Sequence, residues 1–228
     1  MNASTTTAVL MATLCVLVLS APAVSADNVV TRLDGSGFAR LCNAAGQDFD
    51  HPLSLSGDIE VRGGSAEMTG CNVRVAPGAE LRFRDVTLSG CSYAFNVFGG
   101  NSSALDVDHS AIAMGDQSYF LFDEATDVRV RVSHSTLEQC GPNEYSDVVV
   151  TASLGSGGTT TVEHSTLSAP SSGGASDLFG HVVVFAPSGR VMVNHTVMTG
   201  ADIRVGTFAG GTCRTDQNTP DVTCQVFS

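Results

Sequence analysis

The sequence predicts an all-β chain whose short strands stack in parallel as a β-helix of about six coils. Three observations predict it. An eight-residue pattern returns along the chain, its fifth positions lying 22 to 31 residues apart. Two of its columns are apolar from copy to copy. Its fifth position accepts only Gly, Asp or His. The fullest copy is Val130-Arg131-Val132-Ser133-His134-Ser135-Thr136-Leu137. Residues 105–112, 160–167 and 191–198 repeat it with His109, His164 and His195. Residues 81–88 place Asp85 at the fifth position, and residues 59–66, a looser copy, place Gly63 there.

The first four residues of each copy alternate apolar and polar, as a strand with one buried face does. Stacked copies set equivalent residues about 4.8 Å apart in columns. The first inward column is Ile59, Leu81, Leu105, Val130, Thr160 and Val191, broken only by Thr160. The second, Val61, Phe83, Val107, Val132, Val162 and Val193, is apolar throughout. Gly, Asp and His share tolerance of positive φ, so the fifth position reads as a left-handed bend between strands. The outward columns support the same register. One runs Glu60, Arg82, Asp106, Arg131, Thr161, Met192; the other runs Arg62, Arg84, Asp108, Ser133, Glu163, Asn194. Sign alternates for four copies in the first, and only Arg62–Arg84 is like-charged in the second.

Between copies lie further short apolar runs at 71–75, 93–98, 119–122, 148–151 and 181–185. Turn-forming stretches such as Ala76-Pro77-Gly78, Gly99-Gly100-Asn101 and Pro187-Ser188-Gly189 follow them. Each copy therefore carries two or three strands. A β-sandwich also has many short strands with regular turns and is the competing architecture.

In chain order, residues 1–26 carry no charge and an apolar run at 8–19, ending in Val24-Ser25-Ala26. They read as a secretory signal peptide cut after Ala26, too short in its apolar run to span a membrane comfortably. Residues 27–56 lack the pattern and read as an N-terminal cap, which a parallel stack needs to cover unpaired backbone groups. The stack is expected over 57–208 and a C-terminal cap with a disulfide loop over 209–228. No apolar tail follows Cys224, so no anchor is expected, and the chain is soluble or a piece of something longer. The formal charge is −12 and all 11 basic residues are Arg. That balance argues against nucleic acid and anionic lipid as partners and disfavours a polyanionic substrate unless calcium bridges the charges.

Cys15 falls in the signal, leaving Cys42, Cys71, Cys91, Cys140, Cys213 and Cys224, read as up to three disulfides of a secreted chain. Cys213–Cys224 flanks a polar segment and is the pairing expected first. Cys71–Cys91 is expected next, and Cys42–Cys140 follows by elimination. No pair has the short spacing of a zinc site. Asn101 and Asn194 begin N-glycosylation sequons, Asn101 in a turn and Asn194 at an outward strand position.

His109, His134, His164 and His195 in one column invite a metal reading, since imidazole ligates zinc, copper and nickel. The bend reading is preferred, because no carboxylate recurs beside them. Asp106 and Asp108 are two apart on one strand and share a face, as a general acid/base pair would. Arg82, Arg84 and Arg131 are expected to hold both ionised, which suits an ion-pair ladder better. No nucleophile elbow, phosphate loop, metalloprotease helix or calcium loop is present, so no catalysis and no cofactor are expected.

The pattern of 130–137 and its relatives resembles the right-handed parallel β-helix proteins of the pectin-lyase-like fold, which commonly place Asn at the bend. The resemblance covers roughly 57–208. It implies carboxylates, calcium and a basic residue for activity, a constellation with no match to numbered residues here. Val61-Arg62-Gly63-Gly64-Ser65 and Leu88-Ser89-Gly90-Cys91 also resemble, more faintly, the kinetoplastid dispersed gene family of surface proteins. The expected function is a secreted or surface-associated binding or adhesion module with an extracellular protein or glycan as ligand. The alternatives are a carbohydrate-active enzyme of lyase or hydrolase type using Asp106 and Asp108, and a truncated copy without function.

Overall fold

A computed structural model describes residues 30–119, 125–141, 147–152, 156–169, 181–208 and 210–227. The expected signal peptide lies outside them, as does most of the apolar run at 119–122. Among the described residues no helix is long and apolar enough to cross a membrane.

The chain is all-β with parallel pairing. Its first sheet has eight strands in chain order: Thr31–Leu33, Ile59–Arg62, Glu80–Arg84, Ala104–Asp108, Arg129–Ser133, Ser156–Glu163, Ser188–Asn194 and Thr212–Asp216. The second sheet holds two ladders, joined where Thr87–Gly99 and Ala111–Tyr119 run through both. One ladder collects the strands that follow the bend, among them Thr136–Gln139, Thr166–Ala169 and Val197–Gly200. The other collects Cys71–Val75, Val148–Thr151, His181–Phe185 and Asp202–Phe208 with their neighbours. Every pairing between described strands is parallel, which overturns the antiparallel β-sandwich alternative.

The column register matches the sequence pattern. Val61 pairs with Phe83, Phe83 with Val107, Val107 with Val132, Val132 with Val162 and Val162 with Val193. All six are fully buried in one continuous core. The reason is the strand period of two: once one residue of a strand faces inward, the pairing carries the same face through every neighbour. Thr160, the polar break, is buried because its hydroxyl donates to the Phe185 carbonyl at 2.8 Å and accepts from the Ala152 amide at 2.9 Å.

The bend is left-handed at every copy. Asp85, His109, His134, His164 and His195 have φ between 47° and 56°, and Gly63 has φ 71°. The hydroxyl after each histidine completes the turn. Ser135 Oγ donates to the Ser133 carbonyl at 2.7 Å and accepts the Ser110 amide of the preceding copy at 3.0 Å. Ser110 and Ser165 do the same for Val86 and Ser135. A buried ladder of hydroxyls thus satisfies amides that the bend leaves without a backbone partner.

That logic carries the first sheet past the expected boundary at 208. Cys213 pairs with Val191 and Asp216 with Asn194, and Gln217 takes the bend with φ 50°. Asn218 then fills the hydroxyl's place, accepting the Thr196 amide at 2.9 Å and donating to the Val193 carbonyl at 2.8 Å. At the other end Thr31–Leu33 pairs with the first copy. Helix α1 (Gly35–Ala45) covers the core there. Asp34 caps it by accepting the Gly37 amide at 2.6 Å, and its Phe38 lies edge-on to Phe83 and Phe95.

The disulfides are Cys42–Cys71, Cys91–Cys140 and Cys213–Cys224. The last is as expected; the Cys71–Cys91 and Cys42–Cys140 pairings are corrected. Cys71 lies in the strand over which α1 folds, so it meets Cys42 with Cα atoms 5.1 Å apart. Cys91 and Cys140 follow Gly90 and Gln139, which both pair with Met114 of the copy between them. That copy places Gly115 next, so no Cβ stands between the two cysteines.

Candidate functional site

The outward side of the first sheet carries its charge. Arg84 donates to Asp106 Oδ2 at 2.8 Å and to Asp108 Oδ2 at 2.9 Å, and Arg131 pairs with Glu163 at 2.6 Å. Arg82 pairs with Glu80, and Arg32 with Glu60 at 3.1 Å. Charge alternation is therefore realised partly between direct register partners (Arg84–Asp108, Arg32–Glu60) and partly as diagonal contacts (Arg84–Asp106, Arg131–Glu163), since a guanidinium is long enough to reach past its direct neighbour.

The two acidic residues singled out in the sequence do share this face, but they are not alike. Burial raises the Asp106 carboxyl above the usual aspartate range, despite the opposing Arg84 and Arg131. Asp108 also feels burial, but hydrogen bonds from Ser133 and His109 and the charges of His109 and Arg84 bring it below that range. At Asp106 loss of solvation outweighs the attraction of the arginines, so its carboxyl is harder to ionise than that of Asp108. Its Oδ1 is buried and has no hydrogen-bond partner among the described residues.

Asp106 lines a cleft of about 320 Å³ together with Glu80, Arg129, Arg131, Thr159 and Thr161. Sequence reading missed Glu80, Arg129 and Thr159 because each stands one residue before the eight-residue pattern. Extending the alternation back by one position would have placed them outward. A larger pocket of about 480 Å³ near Val75, Pro77 and Asn101 is mostly apolar, with Arg74 as the charged side chain among its described lining.

The four histidines form a partly exposed stack beside this face. Ring centroids lie 4.7, 5.1 and 4.6 Å apart in order from His109 to His195, with planes 11° to 20° from parallel. The expectation that no carboxylate accompanies the histidines is corrected at Asp108, whose Oδ1 is 3.0 Å from His109 Nδ1 and 3.8 Å from His134 Nδ1. Ligand atoms of Asp108, His109 and His134 fall within 4.8 Å of one another. A metal lies in the plane of each imidazole that binds it, about 2.1 Å from nitrogen. Nearly parallel planes share no such point, so this stack cannot chelate through two rings unless one of them turns. Of the sequons, Asn101 is exposed, with Oδ1 accepting the Thr126 amide at 2.9 Å. Asn194 is half-buried, its Oδ1 fully so, and its Thr196 hydroxyl is turned inward to the Asn194 carbonyl at 2.9 Å.

The chain matches no protein-family model, and neither curated proteins nor solved structures include one significantly similar to it.

Proposed function

We propose that the chain is a secreted or surface-exposed right-handed parallel β-helix of the pectin-lyase-like type that binds an extracellular ligand on the outward face of its first sheet. Three disulfides and in-register parallel ladders support an extracellular stack of this kind. The observation that carries the binding reading is the Asp106 cleft. A buried carboxylate oxygen without a donor is costly unless something supplies one, and here it sits in the lining of a concave, polar site. Immobilised glycans and matrix proteins, screened with the wild type and with Asp106→Ala, are expected to give at least one ligand that the variant binds less. A screen that finds no ligand, or ligands indifferent to Asp106, overturns the reading.

One observation favours a second reading, a carbohydrate-active enzyme. Asp106 and Asp108 have carboxyls pushed in opposite directions, the arrangement that separates an acid from an ionised partner. Polysaccharide cleavage, assayed with and without calcium and abolished in both Asp106→Ala and Asp108→Ala, would establish it. Cleavage unchanged in those variants dismisses these residues.

A further inference from the structure

We infer that the Asp106 cleft takes an uncharged sugar, held through its hydroxyls, and selects against uronates and other anionic glycans. This rests on the binding reading above and adds the class of ligand. The cleft and its surroundings are rich in arginine, which at first suggests an anion. The pairings say otherwise. Arg82 is engaged by Glu80, Arg84 by Asp106 and Asp108, and Arg131 by Glu163. Among the described residues that line the cleft, Arg129 alone is a cation with no carboxylate partner. A carboxylate arriving there would find one unpaired cation, Arg129, among acids and arginines that already neutralise one another, on a chain of net charge −12. One cation is a weak anchor for an anion, and a carboxylate has no proton to give the unpartnered Asp106 Oδ1.

The polar groups that remain ask for a different partner. Asp106 Oδ1 lacks a donor, and Thr159 and Thr161 bring hydroxyls to the same lining. A sugar diol both donates and accepts, so one hydroxyl can donate to Oδ1 while its neighbour accepts from a threonine hydroxyl or from Arg129. Asp106 is 9% exposed, so the bond would form largely out of water, where an unmade partner costs most. A volume of about 320 Å³ is at the lower end for a ligand site, suited to one or two rings of a glycan rather than a protein loop.

The test uses the full disulfide-bonded chain in calorimetric titration at pH 7. Probes are neutral oligosaccharides of glucose, galactose and mannose, and matched oligomers of glucuronate and galacturonate. The expected result is binding of a neutral oligomer roughly tenfold or more tighter than its uronate counterpart, with little dependence on salt. Asp106→Ala is expected to weaken that binding about tenfold. Thr161→Val, which leaves the Arg84 pairing intact, should weaken it too, so a folding defect in the first variant does not decide the matter. Preferred uronate binding that falls with salt and with Arg129→Ala overturns this inference but leaves a binding module. Binding of matrix protein without any glycan does the same. Absence of every ligand removes the binding reading as well.

Discussion

The bend position can be tested apart from everything stacked on it. His134 has φ 49°, and its ring lies between those of His109 and His164 at 4.7 and 5.1 Å. Asparagine accepts that backbone readily; valine does not, and left-handed geometry costs an ordinary residue about 1–2 kcal/mol. His134→Asn and His134→Val both delete the ring and both stacking contacts. Their difference therefore isolates the backbone, and His134→Val should be less stable than His134→Asn by about 1–2 kcal/mol. In a chain of this size that is roughly 2–8 °C in Tm. His134→Gly should fall near asparagine, the relief of strain being offset by about 0.5–1 kcal/mol of added chain entropy. Urea unfolding gives the comparison. Equal losses for asparagine and valine would refute the bend argument and leave ring stacking as the reason for histidine.

Five further outcomes are expected. Ser135→Ala leaves the Ser110 amide without its 3.0 Å partner in a buried ladder and should cost about 1–3 kcal/mol by urea titration. Removing Cys91–Cys140, which closes 49 residues, should cost about 4 kcal/mol against about 3 for Cys213–Cys224, which closes 11, and non-reducing peptide maps should recover all three pairings. Asp108, held below the usual range, contributes stability at pH values above the unfolded carboxyl near 3.9, and loses it as pH falls through its lower folded value. The gap between wild type and Asp108→Asn in thermal melts should therefore close on going from pH 7 to about pH 3. Asp106 has the opposite sign, its ionisation opposing the fold at neutral pH, so Asp106→Asn should lose less at pH 7 than Asp108→Asn. In a glycosylating host, peptide mapping should find glycan at exposed Asn101 and little at half-buried Asn194.

The stack was legible in the sequence because its two determinants are local. Alternation fixes which face of a strand turns inward, and a positive-φ residue fixes where the strand ends; both repeat visibly from Gly63 to His195. The last copy was hidden because Gln217 and Asn218 perform the same backbone task with different side chains. Helix α1 escaped notice because a Gly-Ser-Gly start carries little helical propensity; capping by Asp34 and burial of Phe38 and Cys42 hold it instead. Disulfide pairing depends on which strands are neighbours in space. Cys91 meets Cys140 across a whole intervening copy, a distance that spacing along the chain does not encode. At the site, placement of Asp106 and Asp108 on one face followed from the period of two. The divergence of their carboxyls did not, since it arises from how deeply Asp106 sinks and from the hydrogen bonds that Ser133 and His109 give Asp108.

The Cys91–Cys140 crosslink also divides the molecule mechanically. A chain in which each tier touches mainly the tiers beside it loses structure piecewise unless something ties distant tiers together. Such ties exist near the amino end and in the middle, while residues 141–212 contain no cysteine at all. Hydrogen exchange should therefore find the tiers around Thr160 and Val193 opening as a unit while those around Phe83 and Val107 stay closed, so that the half bearing His164 and His195 is where the protein first yields to heat, force or a protease.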